Sequence, residues 1–131
     1  MLQAWHHIQL AMPNGAEDLA ERFYSGILRM VRAPKPEALA ERGGIWFEAG
    51  PIRLHLGVEP PFTPARKAHP AFEVKDLDST IALLQAAGLD MTRDEGLPGI
   101  HRSISTIRLE TGSNCWNWLR MNSRVPREFC Q

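Results

Sequence analysis

The sequence predicts an α+β fold made of two similar modules whose curled sheets enclose one shared cavity. Three observations predict it. An alternating apolar segment is followed by an amphipathic helix and then by hairpin-like strands, and the same order begins again after a proline-rich stretch. The two openings keep step, with His7 and His69 near the starts of the two leading strands and Ala16 and Asp76 opening the two helices. Finally, 131 residues with 44% hydrophobic and 23% charged content suit one compact domain with a core.

Each element follows from its residues. Trp5 to Met12 reads as a strand, with His7, Gln9 and Ala11 alternating with Ile8, Leu10 and Met12, and Pro13-Asn14-Gly15 turns the chain. From Ala16 to Met30 a helix is predicted, because Leu19, Phe23, Ile27 and Met30 recur at helical spacing and Gly26 is a tolerated interruption. Ala33 to Pro36 reads as a connection leading through a short helical turn and Gly43-Gly44 to a hairpin, Ile45-Trp46-Phe47 with Ile52 to Leu56. Glu59 to Arg66 carries prolines at 60, 61 and 64 and reads as a linker.

The second module repeats the order. Ala68 to Val74 is a strand candidate and Asp76 to Ala87 a helix, with Asp78-Ser79-Thr80 as a capping start and Gly88 as its stop. Ile104 to Leu109 and Cys115 to Met121 read as strands around the turn-prone Glu110-Thr111-Gly112-Ser113. Module one thus spans about 4–59, the linker about 60–67, module two about 68–121 and a tail 122–131.

Composition excludes several classes of function. Fifteen Lys and Arg balance fifteen Asp and Glu, so the totals favour neither a nucleic-acid groove nor an anionic membrane surface. No stretch approaches the ~20 apolar residues of a membrane span, and the N-terminus lacks an export signal, so a cytoplasmic location is expected. Cys115 and Cys130, the only cysteines, make neither a disulfide framework nor a paired-cysteine zinc site. A Gly-rich phosphate loop and a catalytic serine or cysteine motif are both missing.

The strings HHIQLAMPNGAEDLAERFYSGILRM, GGIWFEAGPIRLHLGVE and ARKAHPAFEVKDLD, in that order over roughly residues 4–102, resemble the glyoxalase/bleomycin-resistance/dioxygenase, or vicinal oxygen chelate, superfamily. The resemblance implies paired βαβββ modules with mixed sheets. It also implies, in members with metal, ligands from the first and last strands of each module. His7, His55 and His69 fall on three of those four places, where they would hold a divalent Zn, Fe, Ni or Mn ion. His6, adjacent to His7, is expected on the opposite face of the strand.

The fourth ligand should be a glutamate in a segment resembling an aromatic pair, two aspartates, proline, then Gly-Asn-Arg, an aliphatic residue and that glutamate. After His101-Arg102 the text departs from it, and Asn114 stands where the glutamate would stand. One legal encoding of Arg102 to Trp116, read from the third base of the first codon, gives Phe-Tyr-Leu-Asp-Asp-Pro-Leu-Gly-Asn-Arg-Ile-Glu-Leu-Leu. From about residue 103 onward the chain therefore looks like a frame-shifted C-terminus.

Other residues read more plainly. Arg66 and Lys67 are expected as solvated surface, and Trp5, Trp46 and Phe47 as core. What the resemblance implies is a metal-dependent small-molecule lyase, isomerase or dioxygenase. The alternative is a non-enzymatic binder of a small molecule or drug, as in the bleomycin-resistance branch. Either is expected to act on a small molecule, without nucleic acid or membrane, as a homodimer whose sheet edges need covering.

Overall fold

A computed structural model describes residues 1–94, 100–108 and 115–124. The chain forms two compact units, Met1–Thr63 and Pro64–Gln131. Each holds a four-stranded mixed sheet.

In the first unit the strands are β1 (Ile8–Met12), β2 (Val31–Ala33), β3 (Ile45–Ala49) and β4 (Ile52–Val58), in the sheet order β1-β4-β3-β2. β1 runs parallel to β4, and the other neighbours are antiparallel. The connection between β1 and β2 is helix α1 (Glu17–Glu21), which continues as a π-helical stretch over Arg22–Ile27. A one-turn helix α2 (Glu37–Ala40) precedes β3. This is a βαβββ module.

The pleat of that sheet separates its residues into two faces. Met12, Ile45, Phe47, Leu54 and Leu56 are buried on one face, against Ala20, Phe23 and Tyr24 of the helix. Tyr24 lies with its ring centroid 5.2 Å from that of Phe47, and burial pushes its phenol well above the ordinary value of 10.0, so it stays neutral. The other face presents Gln9, Trp46, Glu48, Arg53 and His55, whose register puts Gln9 beside His55 and His55 beside Trp46.

The first helix differs from the one its periodicity predicts. From Arg22 it widens, with Leu28 N–H bonding Phe23 O at 3.0 Å, five residues back. A widened turn lets the consecutive residues Phe23 and Tyr24 both reach the core, whereas Leu19 and Ile27 stay half-exposed. The helix stops at Arg29, which takes a left-handed φ of 60°. β2 and the sixth strand below were not legible in the sequence, because Val-Arg-Ala and Asp-Met-Thr-Arg-Asp carry no sustained apolar alternation.

The second unit repeats the topology: β5 (Ala71–Glu73), α3 (Leu77–Ala86), β6 (Asp90–Asp94), β7 (Ile100–Arg108) and β8 (Cys115–Arg124), in the order β5-β8-β7-β6. Again the first strand is parallel to the last. α3 buries Leu77, Ile81 and Leu84, an i, i+4, i+7 stripe. Its cap is Asp76, two residues ahead of the Asp78-Ser79-Thr80 start expected, because the Asp76 carboxylate accepts the Ser79 N–H at 3.0 Å. Hydrogen bonding from Ser79, backbone first and then side chain, with a smaller part from the Asp78 backbone, holds the Asp76 carboxyl below its ordinary range. At the other end Gly88 takes φ 82°, while Leu89 N–H reaches Leu84 O and Gly88 N–H reaches Gln85 O, closing the helix. β8 pairs with both β5 and β7, so the text after residue 103 does supply a last strand. The Glu110 to Ser113 turn, Glu110 itself, Asn114 and Cys130 lie outside the described residues.

Gly44 joins the two layers of the first unit. It has φ 85°, its N–H bonds Glu17 Oε1 at 2.8 Å, and a Cβ there would fall 2.2 Å from the backbone oxygen of Leu56. Gly50, at the β3–β4 turn, also has a positive φ, 55°, but nothing within 4 Å of a Cβ. Gly44→Ala is therefore expected to cost more than about 2 kcal/mol and Gly50→Ala about 1 kcal/mol in urea unfolding. Equal losses would mean that the close approach to Leu56 is unimportant.

Candidate functional site

The outward face of the first sheet carries a stack of three flat rings. His55 on β4 is the direct antiparallel partner of Trp46 on β3, and cross-strand partners bring their side chains within contact. The Trp46 and His55 rings stack 3.8 Å apart at 3°. On the other side of His55 lies His7, 4.2 Å away and tilted by 17°. His6 meets His7 edge to face, with Nδ1 atoms 2.9 Å apart.

That last contact corrects the expectation that His6 and His7 face opposite ways. Alternation holds within a strand, and β1 begins only at Ile8, so the two histidines precede the pleat. Trp5 is likewise displaced from the core expected for it, being 89% exposed, while Trp46 is half-exposed in the stack and Phe47 is fully buried. Parity within β3 decides between the last two. Arg66 and Lys67 are exposed, as expected of solvated surface.

His55 is held below its ordinary pKa of 6.5, first by burial, then by its imidazole neighbours His7 and His6 and by Arg53; Glu48 pulls the other way. Glu48 and Arg53 approach to 3.9 Å beside it, half-exposed and of small energetic weight. The ring is thus kept neutral near pH 7, able to stack, to accept a proton or to donate a lone pair.

His69 lies in the second unit, just ahead of β5, where its Nδ1 is 2.7 Å from Lys67 O. A carbonyl only accepts, so Nδ1 carries the proton and the neutral ring keeps its lone pair on Nε2. The side chain of His101 is outside the described residues. At the level of register, β8 sets Arg120 beside Ala71 as β4 sets His55 beside Gln9.

His7 and His55 have the right donor atoms for a divalent ion, but as arranged they do not fit one. Imidazole lone pairs lie in the ring plane, and two rings stacked 4.2 Å apart at 17° have planes that do not converge on a point within bonding range. Among the described residues, no group of three or more His, Cys, Asp or Glu is arranged to hold a metal ion.

Two cavities flank Trp46. One, of about 200 Å³, lies between the outward face and α2 and is lined by Gln9, Lys35, Arg42 and Trp46, with Leu56 and Gly57 among its other walls. The second, of about 240 Å³, shares Lys35 and Trp46 and adds Arg32. Sequence reasoning missed Gln9, Lys35 and Arg42. Lys35 in Pro-Lys-Pro and Arg42 before Gly-Gly carry no motif, and only the folding of the 34–44 segment over the sheet brings them together.

No family model matches the sequence, and no curated protein sequence does either. Among solved structures, a glyoxalase family protein from Bacillus anthracis superposes with a TM-score of 0.86 at 34% identity, covering 95% of this chain and 98% of its own. The chain belongs to the glyoxalase family. Two further neighbours of this glyoxalase family chain share the fold alone. The fosfomycin resistance protein FosX from Listeria monocytogenes has TM-score 0.70 at 12% identity, with 98% of each chain covered. TnmS3, an antibiotic binding protein from Streptomyces sp. CB03234, has TM-score 0.67 at 16%, with 95% of this chain and 100% of its own covered. The α+β fold expected from the resemblance is thereby established. No helix among the described residues is long and apolar enough to cross a membrane.

The folded His55 ring holds its proton less tightly than the unfolded one. Its contribution to stability is therefore whole above pH 6.5 and is lost as pH falls through the depressed folded value. Thermal unfolding of the parent should weaken between pH 7.5 and pH 5.5 by more than that of His55→Gln. Parallel pH profiles would show that the stack does not sense the charge.

Proposed function

We propose that this glyoxalase family protein binds a small planar molecule on the outward face of its first sheet, against the face of Trp46 left free at the end of the Trp46–His55–His7 stack. The observation that carries the reading is the stack itself. Three parallel or nearly parallel rings, stacked at 3.8 and 4.2 Å, stand on the hairpin and at the start of its parallel neighbour, with cavities beside Trp46. Aromatic surface of this kind attracts flat, polarisable ligands. TnmS3, an antibiotic binding protein that shares the fold, supports a small-molecule-binding role.

A second reading is the metal-dependent lyase, isomerase or dioxygenase implied by family resemblance, with His7, His55 and His69 as ligands. One observation favours it: the bond from His69 Nδ1 to Lys67 O leaves Nε2 as a free donor. It requires the His7 and His55 rings to turn out of their stack. It also requires the fourth carboxylate, which we propose was lost in a one-base frame change near codon 102 or 103; gene codons incompatible with the shifted reading would dispose of that idea. The sheet edges support a homodimer, which light scattering on the intact chain would test. A cytoplasmic location remains part of the same proposal.

The binding reading is tested with a neutral planar probe, naphthalene-2-carboxamide. It is expected to shift the Trp46 indole and His55 imidazole resonances in NMR titration, and Trp46→Ala to weaken binding about three- to tenfold. Absence of any shift at both rings would reject it. For the metal reading, elemental mass spectrometry of the frame-restored chain should find near-stoichiometric metal that His7→Ala and His69→Ala each remove. A frame-restored chain without metal after reconstitution would end that reading.

A further inference from the structure

We infer that the ligand carries an anionic group, a carboxylate in the first instance, which seats in the cavity beside Trp46 between Lys35 and Arg42 while its planar part lies on the ring stack. This rests on the Trp46 end of the stack being the ligand floor and adds the charge class of the molecule.

The chain as a whole is electrically balanced, fifteen cations against fifteen anions, so a local excess of one sign is a matter of placement. At Trp46 the placement is one-sided. Lys35 and Arg42 line the first cavity, Lys35 and Arg32 the second, and neither wall includes an acidic side chain. Arg32 is already paired, 3.3 Å from Glu21 on the helix. Among the described residues no ion pair engages Lys35 or Arg42. The Glu17 carboxylate, close to Gly43, has Oε1 on the Gly44 N–H at 2.8 Å, so its charge is directed at the backbone.

The cradle is built. Lys35 is half-buried and its Nζ donates to Gly43 O, which ties the two ends of the 34–44 segment together and leaves two ammonium protons for a ligand. Gly44 is locked between Glu17 and Leu56. The backbone of Arg42, on the same short segment, is therefore held at the wall. From the opposite side comes the Gln9 carboxamide, whose Nε2 would lie 2.8 Å from a Cβ at Gly57; it crosses β4 there because Gly57 has no side chain. A guanidinium, an ammonium and a carboxamide converge on a space of about 200 Å³ beside an indole face. An anion in such a space gains charge-assisted hydrogen bonds that a neutral isostere cannot make. A cavity of about 200 Å³ has room for a carboxylate, and the flat remainder then has the stack to lie on.

The test compares naphthalene-2-carboxylate with its neutral isostere naphthalene-2-carboxamide by isothermal titration calorimetry and NMR on the intact chain. The carboxylate is expected to bind about tenfold more tightly, with the advantage shrinking in high salt. Arg42→Ala, an exposed position, should erase most of that preference. Lys35→Gln, which keeps a donor for Gly43 O, should reduce it. Equal affinity for the two probes would overturn the inference and leave the ring-stack reading standing. A preference that survives in both variants would also overturn it. Binding of neither probe would remove both the inference and the reading beneath it.

Discussion

The pleat of the β3–β4 hairpin is the constraint on which the rest depends. Side chains alternate, so burying Ile45, Phe47, Leu54 and Leu56 under the helix obliges Trp46 and His55 to stand on the opposite face. The antiparallel register makes those two direct partners, and the parallel pairing of β1 with β4 adds Gln9 to the row. A slip of one residue would exchange core and site together. The stability of the fold and the composition of the candidate site are therefore one choice.

The second requirement is close approach of backbone to backbone. Gly44 passes so near the Leu56 carbonyl that no side chain fits, and its N–H is taken by Glu17 from the helix layer. That pins the end of the 34–44 segment and, with the Lys35 bond to Gly43, sets two cations beside Trp46. Position in this region is set by hydrogen bonds and sterics at glycines. Among the described residues neither Lys35 nor Arg42 is taken up by an ion pair.

Electrostatically the site holds a neutral imidazole between an indole and a second imidazole, with cations to one side. Burial and the neighbouring rings disfavour a proton on His55, which preserves the stack near neutral pH. The same stacking turns the lone pairs of His7 and His55 along nearly parallel planes. A face that is well arranged for a flat ligand is for that reason poorly arranged for a shared ion. The two functional readings thus differ in a geometric variable, the rotation of two rings.

Local chemistry made much of this legible in the sequence. The repeated order of strand, helix and strands, the hairpin around Gly50-Pro51 and the helix stop at Gly88 rest on spacing and turn residues that act over a few positions, whereas His7, His55 and His69 were singled out by the family resemblance. Three things were decided only by tertiary structure. The π-helical widening put Tyr24 in the core, because packing on Phe47 outweighs helical periodicity. The strand begins at Ile8 rather than Trp5, because pairing with Leu54 starts there, and so His6 stays beside His7. The grouping of Gln9, Lys35 and Arg42 around Trp46 joins residues from three separate segments, and no local pattern encodes it. Sequence determined which faces exist; long-range pairing and close backbone contacts decided what meets on them.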